Sequence, residues 1–391
     1  MKIPGDKHAA RSYLLFYLFF WASIAAVSPF LALRYEQLNF SGREIGFLVA
    51  IPPFVVFLGA TGLSWVSDLA MHRGRIVIIS LLAVLGSVMF LAASHSLALI
   101  AVAVLAYSIS SAPINPVVDN AVGEFLSGAK ADYGRIRIGG SIGWGSGALL
   151  SGIVSGMFGP DAIFAVFAML MVACVVSARR IPLYEGGQKR GPEFQVFRLL
   201  CSFDLCMLLL KVLIYGVCEA TIVIFLFLHI HSLGGSRALM GAASIAGVGG
   251  EALCFLVTGK VQASIGASRM ILVSLIIQGL RMLAISVLVD PALVVPVQFI
   301  GGTGFALVWA AGMAEVKRIV PRGLGATGQG LRTGVQMGLG GVIAATVGGF
   351  VIESHGSAMI YRYASVLALG SILLAMIAAI SRHVGSHVET L

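Results

Sequence analysis

Apolar residues form twelve long runs along the chain, and polar residues gather in the stretches between them. The runs lie near 13–33, 45–66, 76–94, 98–121, 137–158, 161–178, 203–230, 238–259, 269–289, 293–314, 325–352 and 357–380. About 20 apolar residues are enough for a helix to cross the hydrocarbon core of a bilayer. A long polar stretch, RRIPLYEGGQKRGPEFQVFR at 179–198, leaves six runs on each side. The pattern therefore predicts an all-α membrane protein with twelve transmembrane helices.

Composition supports this interpretation and excludes a water-soluble globular protein. Hydrophobic residues make up 58% of the 391 residues and charged residues only 11%, whereas soluble domains carry about 25% charged residues. Such a chain cannot cover a water-facing surface, so we expect it to lie in a lipid bilayer. The N-terminus resembles a signal peptide, but its apolar run is too long and no cleavage site leads into a polar mature chain. We therefore interpret this run as the first span.

The basic residues predict which loops face the cytoplasm. If the N-terminus lies inside, cytoplasmic segments hold 19 of the 26 Lys and Arg residues, the outer ends hold 4 and the spans hold 3. This bias obeys the positive-inside rule, and it accounts for the net charge of +9 without nucleic acid as a partner. We predict a multi-pass protein of the inner (plasma) membrane with both termini in the cytoplasm.

The two sets of six runs resemble each other. Residues 137–145 read RIGGSIGWG and residues 332–340 read RTGVQMGLG, which aligns Arg137 with Arg332 and several glycines with each other. Parallel repeats of this kind relate the two halves of some transporters. We predict an N-terminal six-helix bundle over 1–180, a cytoplasmic linker over 181–200 and a C-terminal six-helix bundle over 201–391.

Ionisable side chains inside apolar runs are costly and are usually functional. Glu251 lies within the eighth run and is a candidate proton or substrate site, whereas Arg281 in the ninth run would suit an anionic substrate or Glu251. On the seventh run Lys211, Tyr215 and Glu219 recur every four residues and form one stripe on a helix. The alternative for all of them is a structural pairing with neighbouring helices.

Further polar side chains share helix faces in the fourth and eleventh runs, at Asn115 with Asp119 and at Gln329 with Arg332 and Gln336. Lining and structural interpretations of the second face are equally open. The predicted proton-coupling residues are Glu251, Glu219 and Asp119. The predicted substrate-binding residues are Arg281, Lys211, Tyr215, Arg332, Gln329 and Asn115.

The hairpin between the fourth and fifth runs, residues 113–156, combines charge with many glycines. Glycines let helix backbones approach each other closely, and charges at a membrane edge need partners. We expect this hairpin to form the inside gate, in which Asp119 or Glu124 pairs with Arg135 or Arg137.

Three motif matches do not predict enzyme chemistry. The G-x-S-x-G match at 139–143 opens a membrane helix instead of following a strand, and the G-x-G-x-x-G match at 323–328 lacks a βαβ unit. His229 and His231 point apart on a helix, and no other ligand cluster is visible. We predict that the chain is not an enzyme and needs no metal or cofactor; a membrane-embedded enzyme or sensor remains as an alternative.

Residues 28–51, 116–145 and 298–356 resemble the major facilitator superfamily, and within it the branch of proton symporters around lactose permease, phenylpropionate permease and nucleoside permease. The loop after the second run is similar to that superfamily's loop motif only loosely, and it adds Asp68 to the predicted gate. The resemblance implies the major facilitator fold of two six-helix bundles, alternating access, a substrate cavity between the halves and proton coupling.

The resemblance also suggests roles for single residues. Asp119 and Arg137 lie nearest the substrate-binding pair of lactose permease, and Glu251 and Arg281 match its glutamate and arginine on the eighth and ninth helices. The His-x-x-Glu motif of the sugar symporter is absent from the tenth run, which argues against lactose-like transport. We predict a monomeric, proton-coupled importer of a small organic solute that is a carboxylate, a nucleoside or sugar-like. The alternative is a proton-driven antiporter that exports drugs or metabolites.

Overall fold

The computed structural model describes residues 6–62, 73–127, 133–181, 202–321 and 324–388, and the regular structure within these ranges is helical. In chain order the α-helices are α1 Asp6–Val27, α2 Leu31–Gln37, α3 Gly42–Gly62, α4 Arg73–Ala93, α5 Leu97–Ser111, α6 Ile114–Ser127, α7 Tyr133–Phe158, α8 Ala162–Ala178, α9 Phe203–Ser232, α10 Arg237–Phe255, α11 Thr258–Ile265, α12 Ala267–Ser286, α13 Val294–Ile319, α14 Gly325–Thr333, α15 Gly340–His355 and α16 Ser357–Val388. Short 3₁₀ turns occupy Ser28–Phe30 and Pro291–Leu293, and a π-helical turn occupies Gly334–Leu339.

The helices have the length and apolarity of membrane spans. Among the described residues, nine helical segments are long and apolar enough to cross a membrane, and Ala162–Ala178 is a shorter apolar helix. Helices α7 and α16 are not among these segments. Together with the nine segments and Ala162–Ala178, they would correspond to the twelve predicted spans. The structure thus agrees with a multi-pass membrane protein, and the count of twelve spans stays a prediction.

Prolines interrupt two of the predicted apolar runs. Pro29 lies in the 3₁₀ turn between α1 and α2, and Pro113 lies directly before α6. Proline has no backbone N–H and its ring clashes with the preceding helical turn, so each helix ends and a new one begins. As a result Asn115 and Asp119 lie on α6, separate from α5.

Two helix pairs make the most extensive contacts between the N-terminal half, residues 6–181, and the C-terminal half, residues 202–388. These pairs are α7 with α10 and α3 with α15. In the second pair, side chains at Gly46 or Gly349 would collide with the facing backbone, and Gly152 on α7 lies equally close to the backbone of α10. Small residues of this kind let membrane helices approach closely. Of the glycines noted in the sequence, Gly145 and Gly152 face α10 of the other half, whereas Gly139, Gly143 and Gly147 pack against α1 of the same half.

The halves also meet at one end of the bundle, which we call the turn end because it carries the short turns 38–41 and 233–236. The Arg43 Nε of α3 lies 3.4 Å from the Glu353 Oε1 of α15. The rings of Phe30 and Phe227 pack edge to face with centroids 4.7 Å apart. The opposite end, where residues 181 and 202 flank the linker, is called the linker end. The contacts show that the halves touch each other at the turn end.

Candidate functional site

A buried ion pair lies inside the C-terminal half, between α9 and α12. Arg281 Nη1 is 2.9 Å from Glu219 Oε2, and the two side chains are only 5% and 18% exposed. Gln278, one turn before Arg281, donates to the same carboxylate oxygen at 3.1 Å. Arg281 Nη2 donates to the side-chain oxygen of Gln298 on α13. The carboxylate and the guanidinium are therefore both hydrogen bonded within one polar network.

Glycine on α13 makes room for this network. A Cβ atom at Gly301 would overlap the side chain of Arg281. Four buried polar atoms in or beside the network have no hydrogen-bond partner among the described residues. They are Arg281 Nε and Gln298 Nε2 of the network itself, and Tyr215 Oη and Tyr361 Oη beside it. Unpartnered buried donors are uncommon in folded proteins and often mark functional positions. We call the Arg281, Glu219, Gln278 and Gln298 network the paired-arginine site.

The structure corrects the predicted pairing of Arg281 with Glu251. Among the described residues, the carboxylate within ion-pair distance of Arg281 is that of Glu219. Helix α13 packs against both α10, which carries Glu251, and α12, which carries Arg281. Because α13 takes this position, Arg281 reaches across to α9 instead.

Glu251 instead faces the other half of the molecule. Ser141 on α7 donates a hydrogen bond to Glu251 Oε1 at 3.1 Å. Helices α7 and α10 form one of the two most extensive contacts between the halves. A carboxylate at this position therefore contributes to the contact between the two halves.

Lys211 lies apart from the paired-arginine site, although it shares a helix stripe with Glu219. Eight residues separate them, which is about 12 Å along a helix. Lys211 lines a cleft between α9, α12 and α13, together with Asp204, Ser268, Glu315 and others. In that cleft Arg318 donates two hydrogen bonds to Glu315 Oε2, at 3.1 and 2.7 Å. The stripe thus contributes to two different polar clusters.

A second buried arginine, Arg332, has a different environment. Its Nε donates to Gln329 at 3.0 Å and its Nη1 donates to Gln336 at 2.8 Å. The guanidinium lies 4.7 Å from the ring centroid of Trp309, and Arg332 is 1% exposed. Within the part of the chain that the structure describes, no carboxylate lies within ion-pair distance of it. We call this group the unpaired-arginine site.

The predicted gate falls mainly outside the described residues. Asp119 accepts a hydrogen bond from the Tyr17 hydroxyl on α1. Asp68 and the side chains of Glu124, Arg135 and Arg137 lie outside what the structure describes. The gate therefore stays a prediction.

Some contacting residues were not predicted from the sequence, among them Gln278, Gln298, Ser141 and Tyr17. Gln278 and Gln298 are polar residues inside apolar runs, so the signal that singled out Arg281 could also have found them. Tyr17 lies in an aromatic run at residues 13–21, and such runs are also typical of packing surfaces and of the membrane interface. In the described residues, no group of three His, Cys, Asp or Glu side chains could hold a metal ion.

Comparison with solved structures defines the fold. The nucleoside transporter NupG, in a single-residue mutant form, superposes with a TM-score of 0.82 at 16% identity, covering 95% of this chain and 99% of that one. A bacterial homologue of the human lysosomal transporter Spinster, in an inward-facing and unoccupied conformation, gives a TM-score of 0.73 at 14% identity, covering 97% and 96%. The chain therefore has the fold of the major facilitator transporters.

Sequence comparison defines the family. The model of the MFS_1 like family matches residues 10–363, and this chain belongs to that family. It is 27% identical to the maltose permease of Geobacillus stearothermophilus over 95% of both chains. It is 22% identical to the probable 3-phenylpropionic acid transporter of Escherichia coli (strain K12), over 68% of this chain and 72% of that one. The protein is a multi-pass membrane transporter of the major facilitator superfamily and not an enzyme.

Proposed function

We propose that this transporter imports a small organic solute together with protons, by alternating access. We further propose that it is a monomer in the inner membrane with both termini in the cytoplasm. Similar proteins are named for a sugar, for 3-phenylpropionic acid and for nucleosides, which supports a small organic solute. The basic residues of the loops support the orientation.

The paired-arginine site is the observation that carries the proton-coupling proposal. A carboxylate buried among apolar helices stays ionised when a guanidinium lies beside it, and it takes up a proton more readily when that partner is lost. The Arg281–Glu219 distance of 2.9 Å joins the two groups directly. A solute that takes over the donors of Arg281 would therefore favour a proton on Glu219.

Proton and solute then strengthen each other's binding, because coupling between two sites is reciprocal in free energy. A proton on Glu219 releases Arg281 for the solute, and a solute on Arg281 favours the proton. Tyr215, whose buried hydroxyl has no hydrogen-bond partner among the described residues, offers a further polar group to the solute. Lys211, Arg332, Gln329 and Asn115 complete the proposed binding residues.

Glu251 and Asp119 are the other proposed proton carriers. Glu251 bonds across the halves to Ser141, so a proton on its carboxylate would weaken a contact between α7 and α10. Asp119 bonds to Tyr17 within the N-terminal half. Comparing these carboxylates with Glu219 tests which of them couples the proton to transport.

Uptake into proteoliposomes tests the proposal. The panel contains 3-phenylpropionate, maltose and uridine, and the vesicles carry a pH gradient with the acidic side outside. Accumulation of one panel member that a protonophore abolishes would support import coupled to protons. Accumulation that requires the opposite gradient would favour the exporting antiporter, and accumulation that ignores the gradient would refute proton coupling.

A further inference from the structure

The cations inside the membrane spans of the C-terminal half differ in their acidic neighbours. Arg281 contacts Glu219 directly. Lys211 lines a cleft that Asp204 and Glu315 also line. Arg332 contacts only two amide oxygens and an indole ring within the described part of the chain. Among the described residues, it is therefore the guanidinium whose charge no acid balances.

An unbalanced cation is unusual at this depth of burial. Arg332 is 1% exposed, and charges in apolar surroundings are generally paired with an opposite charge because desolvation is costly. Amide oxygens and the face of Trp309 stabilise the guanidinium in part. A negative charge on a bound molecule would complete the stabilisation that the described residues provide only in part.

A second observation also points to a ligand. Gln336 is 1% exposed, and its side-chain nitrogen is buried without a hydrogen-bond partner among the described residues. Its side-chain oxygen accepts the bond from Arg332 Nη1 at 2.8 Å, so the unused amide donor belongs to the group that holds the guanidinium. A carboxylate has two acceptor oxygens, and such paired donors are typical of its recognition.

The backbone around the site departs from a regular α-helix. Gln336 lies in the π-helical turn Gly334–Leu339, and π-turns inside α-helices often occur at functional sites. Gly312 on α13 faces Arg332, and a Cβ there would lie 3.1 Å from Arg332 Cδ. Gln329 and Trp309 are only partly buried, so they form the open side of the site.

The unpaired-arginine site also lies close to the proposed proton carrier. The backbone of Gln336 packs directly against Gly216 on α9, where a Cβ would overlap the Gln336 carbonyl oxygen. Glu219 follows Gly216 by three residues, which is less than one helical turn. A ligand at Arg332 and a proton at Glu219 would therefore act on the same turn of α9.

We propose that Arg332 and Gln336 bind the anionic group of the transported solute, and that the solute is an organic carboxylate. The inference rests on the proposed solute transport and narrows its substrate class. An anion that enters with one proton moves no net charge, so the two sites together fit co-transport of a carboxylate with a proton. Neutral sugars and nucleosides would leave the charge of Arg332 unbalanced.

Matched ligand pairs test this inference with the purified full-length protein. In each pair one member carries a carboxylate and the other is neutral. The pairs are 3-phenylpropionate with 3-phenylpropanol, and glucuronate with glucose. Binding is measured by isothermal titration to wild type, Arg332→Gln, Arg332→Lys and the control Arg362→Gln, whose side chain is exposed. We expect wild type and the control to prefer the carboxylate of at least one pair by about tenfold or more. We expect Arg332→Gln to lose that preference and Arg332→Lys to retain part of it.

Several outcomes would overturn the inference. The first is that wild type binds the neutral member of each pair as tightly as the carboxylate. The second is that wild type binds no carboxylate of the panel. The third is that Arg332→Gln keeps the wild-type preference for the carboxylate. If Arg332→Gln does not fold, Gln336→Leu replaces it, and an unchanged preference for the carboxylate in that variant has the same meaning.

Failure of this inference differs from failure of the proposed function. A neutral solute that accumulates under the pH gradient while carboxylates do not bind would overturn the carboxylate site and leave proton-coupled import standing. A carboxylate that binds through Arg332 but never accumulates under the gradient would support the site and refute the coupling.

Discussion

The C-terminal half contains two buried arginines that the protein treats differently. At the paired-arginine site, Arg281 contacts a carboxylate and two glutamine side chains. At the unpaired-arginine site, Arg332 contacts two glutamines and a tryptophan. Both guanidiniums are nearly inaccessible, so solvent does not explain the difference. The first arrangement balances its charge without a ligand and suits a switch, whereas the second has no counter-charge among the described residues and suits a binding site.

Removal of Arg281 should cause the largest loss of stability. Arg281→Met leaves Glu219 buried without its cation, and breaking a buried pair in this way costs about 3–5 kcal/mol. Equilibrium unfolding in mixed detergent measures the loss. The double variant Arg281→Met/Glu219→Leu is the control and should recover most of the stability, because neither charge remains. A single variant as stable as wild type would show that the pair is not buried in the membrane.

Removing the other arginine should have a small effect on stability. Arg332→Met leaves only neutral amides behind and also removes an unbalanced buried charge, so we expect a free energy of unfolding within about 1 kcal/mol of wild type. The same unfolding experiment measures it. A loss as large as that of Arg281→Met would mean that Arg332 is a structural ion-pair member and would end the contrast between the sites.

The glycines beside the two arginines sharpen the comparison. An alanine at Gly301 would overlap the Arg281 side chain, whereas an alanine at Gly312 would meet Arg332 Cδ at 3.1 Å. Overpacking typically costs about 1–3 kcal/mol, so we expect Gly301→Ala to fall in that range and Gly312→Ala to cost less. Thermal unfolding of the two variants in detergent compares them, and equal losses would contradict the tighter packing around Arg281.

Removing a surface arginine should change the free energy of unfolding least. Arg43 pairs with Glu353 at the turn end, but its side chain is 67% exposed. Exposed pairs contribute about 0–1 kcal/mol to stability. Arg43→Gln should therefore change the unfolding free energy by less than about 1 kcal/mol. A larger loss would indicate that closure of the turn end, and not the surface pair alone, depends on Arg43.

Much of the fold follows from the sequence because apolar run length and loop charge are local properties. The described parts of the runs are largely helical, and two of the breaks, at Pro29 and Pro113, arise where proline ends a helix within an apolar stretch. The polar residues of the sites could also be recognised, since Glu219, Arg281 and Arg332 stand out in apolar surroundings.

The partners of those residues could not be predicted, because they depend on which helices become neighbours. Glu219 and Arg281 lie 62 residues apart in the chain, and the position of α13 between α10 and α12 decides that Arg281 does not reach Glu251. Lys211 shares a stripe with Glu219 yet lies in another cluster. Helix periodicity identifies a shared face but not the change of environment along the length of that face.

The measurement that tests proton coupling most directly compares exchange with accumulation in the Glu219→Gln variant. If Glu219 carries the coupled proton, this variant in proteoliposomes still exchanges labelled solute between the two sides. It no longer accumulates solute when the outside of the vesicles is acidic. The control Glu36→Gln, whose side chain is exposed, behaves like wild type. Accumulation at the wild-type level by Glu219→Gln would contradict this role of Glu219, and the same test would then pass to Glu251→Gln and Asp119→Asn.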